Sequence, residues 1–102
     1  MAGVNTRNWK AWIDLRPPGP PALHVIGEVE VSQSTLHPKL GEAVPQGSNP
    51  AILILDLAAS PGNAQYVEVR FDKSPVRRGQ YSNVQIRYEG DDEAFIDVEE
   101  TH

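Results

Sequence analysis

The sequence predicts an all-β domain, an antiparallel β-sandwich of six or seven strands. Three observations carry that expectation. Apolar residues recur at every second position in several short runs, the nine prolines and eight glycines fall between those runs, and helical periodicity is weak throughout. Short strands with turn signals about every 8 to 12 residues are the rhythm of sandwiches and small barrels.

The elements follow in chain order. "WKAWIDL" at 9–15 is a weak strand candidate, and residues 1–8 are expected to be flexible. Trp9 and Trp12 lie three apart: on a strand they face opposite sides and one is exposed for an interface, whereas on a helical turn they share a face and pack in the core. "PPGPPA" at 17–22 is a stiff proline-rich crossover. It contains P-x-x-P at Pro17–Pro20 and Pro18–Pro21. An SH3-type ligand would also need a proline at Gly19 in one orientation or a basic residue at Ala22 in the other, and neither is present.

"LHVIGEVEV" at 23–31 puts Leu23, Val25, Gly27, Val29 and Val31 on one face and His24, Glu28 and Glu30 on the other, a half-buried strand. "STLHPKL" at 34–40 is a weak strand that Pro38 confines to an edge or bulge. "AILILDL" at 51–57 is apolar on both faces up to Asp56, so it reads as a central strand covered on each side and the most buried segment. "YVEVRFD" at 66–72 points Val67, Val69 and Phe71 inward. "NVQIRYE" at 83–89 does the same with Val84, Ile86 and Tyr88, and "AFIDVEE" at 94–100 with Ile96 and Val98. The polar link "EGDD" predicts a terminal hairpin.

At 102 residues the chain makes one domain. In length and strand rhythm it is similar to immunoglobulin and fibronectin-type-III modules, without a Cys…Trp…Cys pattern. The combination of "PPGPPALHVIGEVEV" with "NPAILILDL" resembles a group of small bacterial proteins without an assigned activity. That resemblance covers 17–31 and 49–57, implies a bacterial cytoplasmic origin, and gives no functional residue to carry over.

Composition excludes several chemistries. There are no cysteines, hence no disulfide, thiolate metal site or cysteine nucleophile. No stretch reaches the ~20 apolar residues of a membrane helix, and no signal-peptide core opens the chain, which points to the cytoplasm. Net charge is −5, unevenly placed: residues 91–102 hold six acids and no Lys or Arg, whereas residues 66–90 hold five bases against three acids. An acidic chain is a poor nucleic-acid binder overall, since that affinity comes from neutralising phosphates.

Catalytic and metal motifs are thin. His24, His37 and His102 with Glu28 and Glu30 offer the ligand types of a zinc or iron site, but His24 and Glu28 on one strand are about 13 Å apart. Glu28 and Glu30 stand ~6.6 Å apart, a spacing that paired glycosidase carboxylates share with any exposed strand face. G-x-S-x-G, P-loop and G-x-G-x-x-G sequences are absent. "EGDDE" at 89–93 supplies oxygens but lacks the EF-hand register. No cofactor or metal is expected.

The binding candidates are Lys73, Arg77, Arg78 and Tyr81 in the loop "DKSPVRRGQY" and, separately, Trp12 as an interface aromatic. The expected function is a non-enzymatic protein-interaction or self-association module. In one form the basic loop of one copy meets the acidic 91–100 segment of another. The alternatives are a small metal-dependent or hydrolytic enzyme built on His24, Glu28 and Glu30, and weak polyanion binding through residues 73–78.

Overall fold

The computed structural model describes residues 4–33 and 37–101. Seven strands form one sheet: β1 (Thr6–Asp14), β2 (Ala22–Val31), β3 (Lys39–Glu42), β4 (Ile52–Ala58), β5 (Gln65–Lys73), β6 (Asn83–Tyr88) and β7 (Asp91–Thr101). Their order across the sheet is β3-β4-β6-β7-β1-β2-β5. The two edge strands, β3 and β5, come into contact, so the sheet curls into a nearly closed barrel. Among the described residues there is no helix, and so none long and apolar enough to cross a membrane.

The sheet is mixed, which corrects the expectation of a wholly antiparallel sandwich. β1 runs parallel to β7 and β4 parallel to β6, while β1–β2, β2–β5, β3–β4 and β6–β7 are antiparallel. Parallel neighbours need a long crossover. Here β5 supplies one, lying on the far side of the sheet between β4 and β6 in sequence.

The inward faces match the period-2 patterns. Leu23, Val25, Val29 and Val31 of β2, Leu53, Leu55 and Leu57 of β4, Val69 of β5, and Val84 and Ile86 of β6 form the core, together with Ala11 and Ile13 of β1. Each fully buried aliphatic side chain contributes about 2 kcal/mol of burial, and with no cysteine this packing holds the fold. β4 is second from the β3 edge rather than central, and it is not alone as the most buried segment, because the inward residues of β2 are buried as completely.

Trp9 and Trp12 lie on a strand and take opposite sides. A bulge between Arg7 and Lys10, where Asn8 has a φ of 58°, turns Trp9 inward. Its ring lies against the backbone of Gly27, where a Cβ would collide with it. The chain joins the sheet at Thr6, and Val4 is already buried. Of the expected strand at 34–40, residues 34–36 lie outside the described residues; β3 starts one residue after Pro38. The terminal hairpin is present, with Glu89 and Gly90 as its two turn residues at φ 52° and 85°, the pair of positive values a type I′ turn requires.

Candidate functional site

Two loops at one end of the barrel make a groove of about 590 Å³. One is the β5–β6 connection, residues 74–82; the other is the β3–β4 connection, residues 43–51.

The first loop is pinned by Val76, a buried apolar side chain whose amide donates to Pro21 O at 2.9 Å, so the proline-rich crossover is its anchor. A tight turn follows. The Gln80 amide donates to Arg77 O at 3.0 Å and the Arg77 amide to Gln80 Oε1 at 2.8 Å, with Gly79 at φ 71°. Two bonds across four residues fix the directions in which the arginines leave the backbone. Arg77 and Arg78 therefore stand exposed on the rim, while Tyr81, half-buried, packs against the core and lines the groove beside Ile52.

The second loop is held by Gln46. β3 ends at Glu42, opposite Leu55, which leaves the next part of the β4 edge without a strand. The Gln46 side chain takes that place. Its Nε2 donates to Ile54 O at 2.8 Å and to Ala43 O at 2.9 Å, and its Oε1 accepts the Ile54 amide at 2.8 Å. One side-chain amide thus satisfies the backbone of Ile54 as a neighbouring strand would. The loop also explains why Ile54, on the outward face, is buried.

Charge around the groove is unevenly satisfied. Glu42 lines it and is held by Lys73, whose Nζ is 3.0 Å from Glu42 Oε2. The hydrogen bond with Glu42 raises the Lys73 pKa above its ordinary value against the pull of burial. Glu100 of β7 accepts the Gly79 amide at 2.8 Å and lies 3.7 Å from Arg78 Nε. The basic loop therefore meets the acidic segment within one chain. Arg77 forms no ion pair among the described residues.

The sequence candidates separate into two places. Arg77, Arg78 and Tyr81 come together at the groove, with Lys73 behind Glu42. Trp12 does not join them; it lies on the outer face of β1, 5.3 Å from the His24 ring between centroids. His24 Nδ1 donates to Asp72 Oδ1 at 2.6 Å. Burial pushes the Asp72 carboxyl up, but the hydrogen bonds from His24 and Arg70 outweigh it and leave its pKa below the ordinary value.

Glu28 instead accepts from Asn8 Nδ2 and Arg7 Nε, which lower its pKa, and Glu30 accepts from Asn5. His24, Glu28 and Glu30 each answer to a different neighbour. Among the described residues no three His, Cys, Asp or Glu side chains are placed to hold a metal ion. His102 lies outside the described residues, and His37 is exposed just ahead of β3. In the acidic hairpin Asp92 receives Gln85 Nε2 and Glu93 receives Thr6 Oγ1, so those carboxylates serve the sheet rather than a common centre.

Gln46 and Glu42 are groove residues that strand periodicity does not single out, and Ile52 it marks only as part of an apolar strand. The polar "PQGSNP" between two strands is the available signal, and it says only that a loop lies there. Comparison of the chain with protein-family models, with curated proteins and with solved structures finds no match.

Proposed function

We propose that this domain is a non-enzymatic interaction module that seats a partner protein in the groove between residues 43–51 and 74–82. The observation that carries the reading is Arg77, a guanidinium without an ion pair among the described residues, on the rim of a cleft floored by Ile52 and Tyr81. Arginine beside an aromatic residue in a concavity is the composition of interaction hot spots. A foreign partner is favoured over the acidic segment of a second copy, because Glu100 already takes Arg78 and the Gly79 amide within its own chain.

Two measurements test the proposal. Light scattering behind size exclusion at low and high salt is expected to give a monomer in both; a dimer that dissociates with salt would restore loop-to-tail self-association. Peptides selected from a random displayed library are expected to shift the amide resonances of residues 46–53 and 77–81. Selected peptides that shift only other residues would overturn the groove.

A further inference from the structure

We infer that the occupant of this groove is an extended acidic peptide that adds as a short strand at Ile52, the one β4 edge position along the groove that neither β3 nor Gln46 covers, and places a carboxylate on Arg77. This rests on the groove being the binding site and adds the chemistry of what it holds.

The amides of Ser82 and Asn83 donate to Ala51 O, so odd-numbered residues of this stretch face β6. Strand alternation then turns Ile52, Ile54 and Asp56 towards the β3 edge. Asp56 faces Gly41 of β3, and Ile54 is satisfied by Gln46 and Ala43. The Ile52 amide donates to Asn49 O at 3.2 Å; Ile52 lines the groove and lies past the end of the β3 pairing, so its carbonyl faces an edge that no strand among the described residues covers. A carbonyl on an uncovered strand edge is where an added strand donates its first hydrogen bond.

Charge at the groove selects the acidic peptide. The side chains of the groove carry one carboxylate, Glu42, already neutralised by Lys73, and two guanidinium groups, of which Glu100 takes one. What is left uncompensated is a single positive charge at Arg77. A peptide carboxylate matches it through a charge-assisted, bidentate contact. A nucleic acid brings a phosphate at every nucleotide into a chain of net charge −5, and this groove has too few cations to neutralise a run of them.

The test uses a fluorescein-labelled hexapeptide of alternating valine and glutamate, followed by anisotropy and by amide resonance shifts of the full chain. The expected result is saturable binding with shifts at residues 46–53 and 77–81, weakened about tenfold by Arg77→Gln. Arg77 is exposed and unpaired, so the variant's thermal melt should match the wild type. Methylating alternate peptide nitrogens should abolish binding in one register and spare it in the other. Equal binding and equal groove shifts by the glutamine-for-glutamate peptide would overturn the acidic assignment while leaving the groove standing. Indifference to methylation in both registers would overturn strand addition. Shifts confined elsewhere would overturn both readings, and tighter, steeply salt-dependent binding of a single-stranded oligonucleotide at the same residues would replace the peptide with a polyanion.

Discussion

Lys73 Nζ on β5 lies 3.0 Å from Glu42 Oε2 on β3, so an ion pair joins the two edge strands of the sheet across the seam where the barrel nearly closes. Edge strands present unpaired backbone, and charged side chains at such a seam discourage a foreign strand from entering it. Both groups are about one-third exposed, which limits the energy. A double-mutant cycle of Lys73→Ala and Glu42→Ala, read by urea unfolding, should return a coupling of about 0.5 kcal/mol that shrinks with added salt. Because the folded Lys73 pKa is raised, the contribution is full below the unfolded value of 10.5 and is lost as pH rises through the folded one.

Gly27 faces the core between Val25 and Val29, and the Trp9 ring occupies the space a side chain would need. Gly27→Ala should destabilise the domain by about 2 to 3 kcal/mol through overpacking and shift the tryptophan emission as Trp9 is displaced. Gly41, whose Cβ would meet open space, is the control: Gly41→Ala should change the urea midpoint little.

How far the sequence carries is decided by what period-2 alternation encodes. It states which face of each strand is apolar, and the inward residues of β2, β5, β6 and β7 were legible on that ground. It says nothing about the direction of a neighbour, so the parallel pairs β1–β7 and β4–β6 were not. β7 starts at Asp91 rather than Ala94 because acidic Asp91 and Asp92 pair across the turn with Tyr88 and Arg87, which charge alone hides. Of the groove, Arg77, Arg78 and Tyr81 stood out as cations beside an aromatic. Gln46 did not, since its role exists only because β3 stops at Glu42.

Gln46 gives a sharp substitution test. Gln46→Ala removes both donors and the acceptor from the buried Ile54 and Ala43 backbone, and should cost about 2 to 3 kcal/mol. Gln46→Glu keeps the acceptor for the Ile54 amide but turns a carboxylate oxygen towards two carbonyls. At pH 7 it should be as damaging as alanine, and part of the loss should return at acidic pH when the carboxyl can donate. Equal stability of the glutamate variant and the wild type at pH 7 would show that the two donor bonds contribute nothing.

Glu89 holds a left-handed conformation, φ 52°, that suits asparagine or glycine better than glutamate. Glu89→Asn should therefore stabilise the hairpin by about 0.5 to 1 kcal/mol, seen as a higher urea midpoint with an unchanged slope. The same change also removes a negative charge beside Tyr88, whose hydroxyl pKa is raised by burial first and by Glu89 second. The spectrophotometric titration of Tyr88 should move down accordingly.

Asp14, the last residue of β1, binds Arg16 two residues further on. Its Oδ1 accepts both Arg16 Nε and the Arg16 amide at 3.0 Å, and its Oδ2 lies 3.0 Å from Arg16 Nη2. The side-chain bond is the largest cause, followed by the backbone bond, and together they bring the Asp14 pKa from 3.8 down to about 2. A depressed carboxyl stabilises the fold above its unfolded pKa and loses that contribution as pH falls through the folded one, so the window runs from about pH 4 down to pH 2. Asp72 and Glu28, both shifted down, lose their contributions in the same direction. Carboxyl-carbon resonances should show Asp14 titrating near 2 in the wild type and near its ordinary value in Arg16→Ala. Thermal melts of Asp14→Asn should fall less steeply between pH 4 and pH 2 than those of the wild type. If Asp14 titrated at its ordinary value with Arg16 in place, the fork seen between these two side chains would not persist in solution, and β1 would end without it.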